Sequence, residues 1–395
     1  MSTRARFGPG LLLGLVAVLV TALLTGSVQV GATAATQSGS TTLSAPYVQP
    51  GARPAASGEA KLVGTVRFTP ARKGRPVVIQ RSADGITWTD VARKKQNASG
   101  VVTFTAPAYQ DLPAPLEDTA YAYRGVAKSW GGLSSYAANA QSAGVWEPKF
   151  SDEFSGTGLG EQWADRKVKS KECAKVGDPR ARKVAHGTLR LMVKRDPARK
   201  GRKCKTSEGK FRYYLNGQVS TEQVPVAFTH GTMSARIKFH KNRGAHGAFW
   251  MQPTRRVDGA HPARAGAEVD IAEFFGKGYQ KGGLASFIYN YGITDRHHQL
   301  VKIGGMAPSA TRMLPRRDAW WKRFHVFSVE WTEGAYRFSV DGRQHSVLTR
   351  GVTNVDEFLI LGLMTSAWEL KQAKRLGVRP GGTMQVDWVR VWQRG

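Results

Sequence analysis

The chain has few cysteines and few acidic residues. Only Cys173 and Cys204 are present among 395 residues. Neither belongs to a Cys-x-x-Cys pair, which disfavours a cysteine-based metal site, and an even count in an exported protein predicts one disulfide between them. Asp and Glu number 29 against 58 Lys and Arg. This excess of positive charge favours anionic partners, and a generally basic secreted protein is the alternative.

Long apolar segments are missing after residue 35, so we expect no membrane span in the rest of the chain. Residues 1 to 34 have the order of a secretory signal peptide: Arg4 and Arg6, then apolar residues from Leu11 to Leu24, then Ala32-Thr33-Ala34. A transmembrane anchor is the alternative, but the apolar core is short and no basic stop-transfer flank follows it. We therefore expect a secreted protein, either free or associated with the cell wall.

Helical periodicity is scarce, and short runs of Val, Ile, Thr and aromatic residues take its place. Residues 35 to 60 are rich in Ala, Ser, Thr, Gly and Pro and predict a flexible linker. Residues 61 to 143 contain strand-like runs separated by turn signals such as Asp84-Gly85, which predict a small β-sandwich. The Tyr121-x-Tyr123-Arg124 run resembles fibronectin type III or immunoglobulin-like modules. No candidate catalytic residue lies in this module, so we expect a chain beginning near Val145 to fold and stay active.

A second, larger all-β domain is predicted over residues 146 to 395. Runs such as "GTMSARIKFH", "HVFSVEWT" and "MQVDWVRVW" mostly alternate apolar with polar residues. This alternation is typical of half-buried antiparallel strands. A stretch of this length without convincing helical periodicity predicts a large β-sandwich or jelly roll.

One apolar segment of this domain, "GAEVDIAEFFG", contains the three acids Glu268, Asp270 and Glu273. On a strand, the first two share a face while the apolar residues between them point into the core. Regular alternation would then bury Glu273 beside the aromatic residues, at a cost of several kcal/mol. A one-residue β-bulge near Ile271-Ala272 returns Glu273 to the face of the other two acids. The spacing therefore predicts a bulge and three carboxylates on one face.

Three carboxylates on one face predict acid–base chemistry. Side chains that lean inward bring Glu268 and Glu273 towards the ~5–5.5 Å carboxyl separation that suits a retaining glycosidase. Asp270 lies between them, within reach of either neighbour, and we expect coupled titrations with at least one proton held near neutral pH. Calcium binding is an alternative, although no loop rich in Asp, Asn and Gly surrounds the acids. A sugar-binding protein that has lost catalysis is another, although all three acids are present.

The motif Glu268-x-Asp270-x-x-Glu273 resembles the bulged active-site motif of glycoside hydrolase family 16, which includes laminarinases, β-agarases and κ-carrageenases on a concanavalin-like β-jelly roll. The resemblance extends over roughly residues 148 to 395, from "FSDEFSGTGLGEQW" to "MQVDWVRVW". It implies Glu268 as nucleophile, Glu273 as general acid/base and Asp270 as the supporting acid.

The same resemblance implies a retaining endo-β-glycosidase that acts on a β-linked polysaccharide, with a β-1,3-glucan as the first candidate. Transglycosylation on the same fold is one alternative, and non-catalytic carbohydrate or cell-wall binding is another. The resemblance implies no required cofactor, and a structural calcium ion would follow from it alone.

Candidates for substrate binding lie on both sides of the acidic motif. Trp250, in "GAFWMQP", matches a family position near the cleaved bond, where a ring can stack on a pyranose, and a core position is the alternative. Trp368, in "MTSAWEL", is a second aromatic candidate. His246 stands where many members have Trp-Pro, and Tyr289 stands near a position where many have His. These differences, and Gly362-Leu363 in place of the common Asn-Leu, leave the identity of the polysaccharide open.

A strongly basic stretch precedes the acidic motif. Residues 165 to 213 contain 18 Lys and Arg against 5 Asp and Glu, a net charge of +13. Both cysteines lie within it, so their disulfide would close a basic loop. Docking of residues 166 to 212 on an anionic polysaccharide or cell-wall polymer is one interpretation, and a solvated basic surface is the other. No nucleic-acid-binding motif accompanies the charge, so we expect no nucleic-acid partner, and we expect a monomer.

Overall fold

The computed structural model describes residues 36–44, 47–48, 60–107, 121–143, 146–168, 172–224 and 226–394. The signal peptide predicted over residues 1 to 34 lies outside these ranges. Within them, every helix is too short or too polar to cross a membrane. Strands dominate, as the scarcity of helical periodicity predicts.

The amino-terminal part consists of two small antiparallel sheets. Their strands are β1 (Ser38–Leu43), β2 (Tyr47–Val48), β3 (Ala60–Thr69), β4 (Pro76–Ser82), β5 (Thr89–Lys95), β6 (Val101–Pro107), β7 (Ala122–Ala127), β8 (Tyr136–Ala137) and β9 (Gln141–Ser142). One sheet has the order β1-β3-β2 with β6 also on β3, and the other has β5-β4-β7-β8 with β9 also on β7. Alternate residues such as Val66, Phe104 and Tyr123 are buried between them. The predicted small β-sandwich is confirmed, and its kinship to fibronectin or immunoglobulin modules stays a prediction.

The range predicted to be a flexible linker is partly a strand. Ser38–Leu43 pairs along β3, from Thr69 to Gly64, and the side chain of Thr41 is buried. Backbone pairing outweighs the turn-like composition here, so the linker prediction is wrong for these 6 residues. Residues 49 to 59 of the same range lie outside the described part of the chain.

The larger part begins at residue 146 and consists mainly of one long antiparallel ladder. Its strands are β10 (Trp146–Asp152), β11 (Ala164–Asp165), β12 (Ala174–Val176), β13 (Arg182–Val184), β14 (Leu189–Arg195), β15 (Lys203–Thr206), β16 (Gly209–Arg212), β17 (Tyr214–Ser220), β18 (Gly231–Lys238), β19 (His246–Pro253), β20 (Ala267–Phe274), β21 (Leu284–Thr294), β22 (Leu300–Met306), β23 (His325–Thr332), β24 (Ala335–Val340), β25 (Arg343–Leu348), β26 (Glu357–Met364) and β27 (Gly382–Arg394). Three short helices join them: α1 (Pro262–Ala265), α2 (Pro308–Met313) and α3 (Ala367–Arg375).

The strand order along this ladder is β22-β21-β20-β19-β26-β17-β14-β27-β18-β23-β24-β25. The half from β22 to β17 and the half from β14 to β25 form two layers, because inward residues of both halves belong to one buried cluster. Val269 and Phe249 contribute from the first half, and Met233, Phe327 and Val389 from the second. The predicted jelly-roll sandwich is therefore confirmed, and β20, which carries the three acids, lies inside the first layer.

The predicted disulfide is present between Cys173 and Cys204. Cys204 lies on β15, which pairs only with β16 among the described strands, and it stands opposite Phe211. Both half-cystines are buried. The bond therefore ties the β15–β16 hairpin to the segment before β12.

The small sandwich shares its core with the larger part. The buried cluster that contains Leu62 and Phe104 also contains Val326 on β23 and Trp388 and Trp392 on β27. These three residues alternate with inward-facing neighbours such as Phe327 and Val389, so they lie on the outer face of the second layer. The described residues from Gln37 onwards accordingly form one compact unit.

Candidate active site

A β-bulge in β20 sets the direction of the acidic side chains. Against β19, Trp250 pairs with Asp270 and Phe249 pairs with Ala272, so Ile271 has no partner. The register against β21 shifts between Asp270 and Glu273 as well. Both Ile271 and Ala272 face the buried core, and Glu273 returns to the face of the other acids. The bulge predicted near Ile271-Ala272 is confirmed.

Glu268, Asp270 and Glu273 line one open cleft of about 470 Å³. Strand β20 is flanked there by β19, whose alternate residues face the same way. The side chains that share the cleft with the three acids include Arg166, Gln218, His246, Trp250, Gln252 and Thr365. The wall is therefore polar and ionisable around the acids.

Burial and mutual repulsion raise the pKa of two of the acids. Asp270 is 3% exposed, and its burial, together with the negative charges of Glu273 and Glu268, raises its pKa well above the ordinary value. Its Oδ2 atom has no hydrogen-bond partner among the described residues. Burial also raises the pKa of Glu273, while positive charge from His246 and Lys302 opposes that rise. The row therefore favours retention of protons at its centre and at Glu273.

Glu268 is held by a chain of side-chain hydrogen bonds. Gln252 Nε2 donates to Glu268 Oε2 at 2.9 Å. Arg166 donates through Nη2 to Gln252 Oε1 at 2.7 Å and through Nε to Glu222 Oε2 at 2.7 Å. Because the guanidinium is a donor only, it orients the amide so that the amide nitrogen faces Glu268. The carboxylate of Glu268 is thus held in place by the hydrogen bond that it accepts.

Glu273 faces a histidine that is itself held by a second acid. His246 Nε2 lies 3.8 Å from Glu273 Oε1, and His246 Nδ1 lies 2.7 Å from Glu369 Oε1. Glu369 also accepts hydrogen bonds from the Ser366 backbone and hydroxyl and so closes the capping box of α3. Burial alone would raise the pKa of Glu369, but His246 and Ser366 lower it to about 2. Glu369 is therefore ionised and favours the protonated imidazole beside Glu273.

The sequence of this region matches a known family. The model of Glycosyl hydrolases family 16 matches residues 178–390, which is more than half of the chain. The chain belongs to this family. A curated relative, the beta-glucanase of Rhodothermus marinus, is 25% identical over 209 residues, which are 50% of this chain and 63% of that protein. The match thus spans less than two thirds of the relative's length.

Solved structures of family 16 enzymes are similar to this chain at low identity. The catalytic domain of an endo-1,3-beta-glucanase (laminarinase) from Thermotoga petrophila RKU-1 is 19% identical with a TM-score of 0.48, and the match covers 64% of this chain and 99% of that domain. An endo-beta-1,3-glucanase from Pyrococcus furiosus is 21% identical with a TM-score of 0.49, and the match covers 64% and 96%. The substrates in these names are those of the two named proteins.

The residues predicted to bind substrate in this family 16 chain fall into two groups. Trp250 and His246 line the cleft with the acids, but Trp250 is only 8% exposed, so little of its ring is available for stacking. Trp368 is 42% exposed and packs edge-on against Phe275, outside the cleft lining. Tyr289 stands opposite Glu268 on β21, so its side chain lies on the same face of the sheet as the acids. Burial, and then the charges of Asp270, Glu268 and Glu273, raise the pKa of Tyr289. The structure therefore places Tyr289 beside the acids at the edge of the cleft and leaves Trp368 outside the cleft lining.

Several polar residues of the site were not predicted from the sequence. Gln252 follows Trp250 by two positions on β19, so strand alternation alone could have placed it on the cleft face. Arg166 and Glu369 reach the site from distant segments and show no local pattern. Lys302 lies on β22 with its Nζ 3.5 Å from the centre of the Phe287 ring, and Phe287 stands opposite Asp270. In the described part of the chain, no group of three or more His, Cys, Asp or Glu residues is arranged to hold a metal ion.

Proposed function

We propose that this family 16 chain is a secreted, monomeric, retaining endo-β-glycosidase that hydrolyses a β-linked polysaccharide, with a β-1,3-glucan as the first candidate. The observation that carries the proposal is the bulge in β20, which places Glu268, Asp270 and Glu273 together on the cleft face. A β-bulge interrupts regular strand pairing, and bulges occur often beside active sites, where they redirect a side chain. The beta-glucanase relative supports the substrate class.

The unlike surroundings of the two glutamates support unlike roles. In the first step a carboxylate oxygen of Glu268, which is held by the Gln252 amide, attacks the anomeric carbon while Glu273 gives its proton to the leaving oxygen. A covalent glycosyl–enzyme forms on Glu268. Glu273, now ionised, then takes a proton from water, and that water displaces Glu268 from the sugar.

Asp270 lies between the two glutamates and supports both steps. Its raised pKa favours the protonated form, in which the unpartnered Oδ2 would be available to donate a hydrogen bond to a neighbouring carboxylate. Such a donor stabilises Glu268 when it leaves the sugar with its negative charge restored. Asp270 would therefore tune the neighbouring acids and would not itself attack the sugar.

The test is a substrate screen with the purified protein. Laminarin, mixed-linkage glucan, agar, carrageenan and hyaluronan are incubated with the wild type and with Glu268→Gln, and products are sized by mass spectrometry. We expect internal cleavage of laminarin by the wild type alone. Products longer than the starting polysaccharide chains would indicate transglycosylation. Binding of a polysaccharide without release of any fragment would overturn the proposal in favour of a carbohydrate-binding protein.

A further inference from the structure

A second cavity, of about 230 Å³, lies outside the acidic cleft and has a cationic wall. It opens between the end of β14, the 3-10 turn Pro197–Arg199 and the strand β16. Its charged and aromatic side chains are Arg195, Asp196, Arg199, Lys200, Arg212 and Tyr213. Four of these six side chains are cationic and one is acidic, so the cavity has a net positive charge.

The single acid of this cavity is already engaged by neighbouring groups. Asp196 is 8% exposed and accepts the backbone N–H of Ala198 at 3.0 Å. Its carboxylate lies 3.7 Å from Arg199 Nε and 3.9 Å from Arg180 Nη1. Asp196 thus offers little charge to the remaining cations, and an anion that enters the cavity meets uncompensated positive charge.

The cationic groups stand on walls that are tied together. The backbone N–H of Asp196 donates to Tyr213 O at 3.0 Å, and the Arg199 guanidinium lies 4.4 Å from the centre of the Tyr213 ring. Arg212 Nη1 donates to Gly201 O at 2.6 Å, and Arg212 follows Phe211, which stands opposite the disulfide-bonded Cys204. The cavity is therefore built by cross-strand and covalent links, which reduces the entropy lost when an anion binds.

We propose that this cavity binds one carboxylate or sulfate group of an anionic polysaccharide and docks the protein on that polymer. Guanidinium groups match the planar oxygens of such anions and form strong charge-assisted hydrogen bonds with them. The choice of a polysaccharide as the polyanion rests on the proposed function, because docking on an anionic wall polymer would hold a glycosidase close to a neutral glucan in the same wall. The hairpin β15–β16 also contacts α3, because Glu208 Oε2 lies 2.5 Å from Lys371 Nζ. The same helix carries Glu369, which binds the His246 that faces Glu273.

The experiment measures binding of the full-length protein to polygalacturonate, to κ-carrageenan, to neutral laminarin and to duplex DNA at low and high salt. The test variant is Arg195→Gln/Lys200→Gln, which removes two cations of the wall other than the Arg199 that lies beside Asp196. The matched control is Lys94→Gln/Lys95→Gln on β5, where both side chains are exposed, and it removes the same charge elsewhere. We expect the test variant to bind one or both anionic polysaccharides about tenfold more weakly per lost cation, and the control to bind like the wild type. Arg212→Gln is a second test of the same wall.

Each outcome bears on the proposal. Weaker binding by the test variant alone, seen at low salt and absent at high salt, supports the proposal. The polymer whose affinity falls most identifies the bound group: carboxylate for polygalacturonate or sulfate for κ-carrageenan. Equal losses in both double variants, or no binding to either anionic polysaccharide, would overturn it. DNA binding that depends on the same two residues as strongly as polysaccharide binding would overturn the choice of partner. Absence of laminarin hydrolysis would contradict the proposed function and leave this binding result unaffected.

Discussion

At the scale of single residues, the two glutamates of the cleft differ in what surrounds them. Glu268 accepts an amide hydrogen bond that Arg166 orients. Glu273 is half-buried and faces the imidazole of His246. The first environment holds the carboxyl group of Glu268 through an accepted hydrogen bond, and the second raises the pKa of Glu273 while a nearby cation limits the rise. This difference supports the proposed roles of Glu268 as nucleophile and Glu273 as general acid.

His246 should set the alkaline limit of activity. A protonated imidazole lowers the pKa of Glu273 from the value that burial would give it, and Lys302 acts in the same direction, while Glu268 and Glu369 oppose it. His246→Gln removes that positive charge, so the pKa of Glu273 rises and the acid keeps its proton to higher pH. We expect the alkaline limb of kcat/KM to move up by about one pH unit. His297→Gln, at an exposed loop position, is the control, and an unmoved limb in His246→Gln would contradict the assignment.

Gln252 should matter for catalysis and little for folding. Gln252→Leu removes the donor to Glu268 and leaves Arg166 without its amide partner. A hydrogen bond to a charged group contributes about 1.5–3 kcal/mol, so we expect kcat to fall tenfold or more. Thermal unfolding measures the folded state separately. Gln141→Leu, on the exposed strand β9, should leave kcat unchanged. Equal kcat values for the Gln252→Leu and Gln141→Leu variants would show that Gln252 does not contribute to catalysis.

The partners of these acids could not be read from the sequence. Glu268, Asp270 and Glu273 lie within one strand, so their relation depends on the local period and can be predicted. Gln252 and Arg166 are 86 positions apart, and His246 and Glu369 are 123 positions apart. Such pairs depend on sheet order, which a single sequence does not specify. Trp368 has the same limit, because the sequence does not show that its ring packs against Phe275 outside the cleft lining.

At the scale of elements, the bulge in β20 is the feature that links strand packing to the site. Ile271 and Ala272 both face the core, so the strand loses one step of alternation and Glu273 stays in the cleft. The prediction of the bulge rested on the cost of burying a carboxylate among aromatic side chains. That cost depends on neighbours within one strand and is visible in the sequence, whereas the composition of residues 35 to 60 does not show that Ser38–Leu43 pairs with β3.

Insertion of a second alanine after Ala272 should abolish activity. The bulge already takes up one step of alternation, so one more residue directs Glu273 into the core and Phe274 towards the cleft. We expect a loss of several kcal/mol in the free energy of unfolding, measured by denaturant titration, and no detectable hydrolysis. Insertion of an alanine after His298, in the exposed turn between β21 and β22, is the control for lengthening the chain. An active, stable protein with the insertion after Ala272 would show that the bulge does not direct Glu273.

At the scale of the whole molecule, the small sandwich is more than an appended module. Its core cluster includes Val326, Trp388 and Trp392 of the larger part. The sequence around these three residues does not indicate that another sheet covers them. Alternation predicted the two sandwiches correctly because each strand reports its own faces. The contact between the sandwiches depends on which outer face is covered, and that is a property of tertiary packing.

The shared core changes the outcome expected for a chain that begins near Val145. Such a chain exposes Trp388 and its neighbours, and a large apolar side chain contributes roughly 1.5–3 kcal/mol when fully buried. We therefore expect it to fold with a lower Tm than the full chain. Trp388→Ala should lower the Tm of the full chain and change that of the shortened chain little. Trp368→Ala, at an exposed position, is the control; equal Tm values for the full and shortened chains would show that the sandwiches are independent.

The most direct test of the account is single-turnover release of phenol from an aryl β-glycoside with an acidic phenol, followed by stopped flow. Such a phenol leaves without protonation, so Glu273→Ala should form the glycosyl–enzyme, give a burst and then stall because water is not activated. Glu268→Ala should give no burst, and Asp270→Asn should be slowed without being inactive. Neither glutamate variant should cleave polysaccharide. A burst from Glu268→Ala and none from Glu273→Ala would reverse the two roles, and full polysaccharide cleavage by both variants would contradict the account.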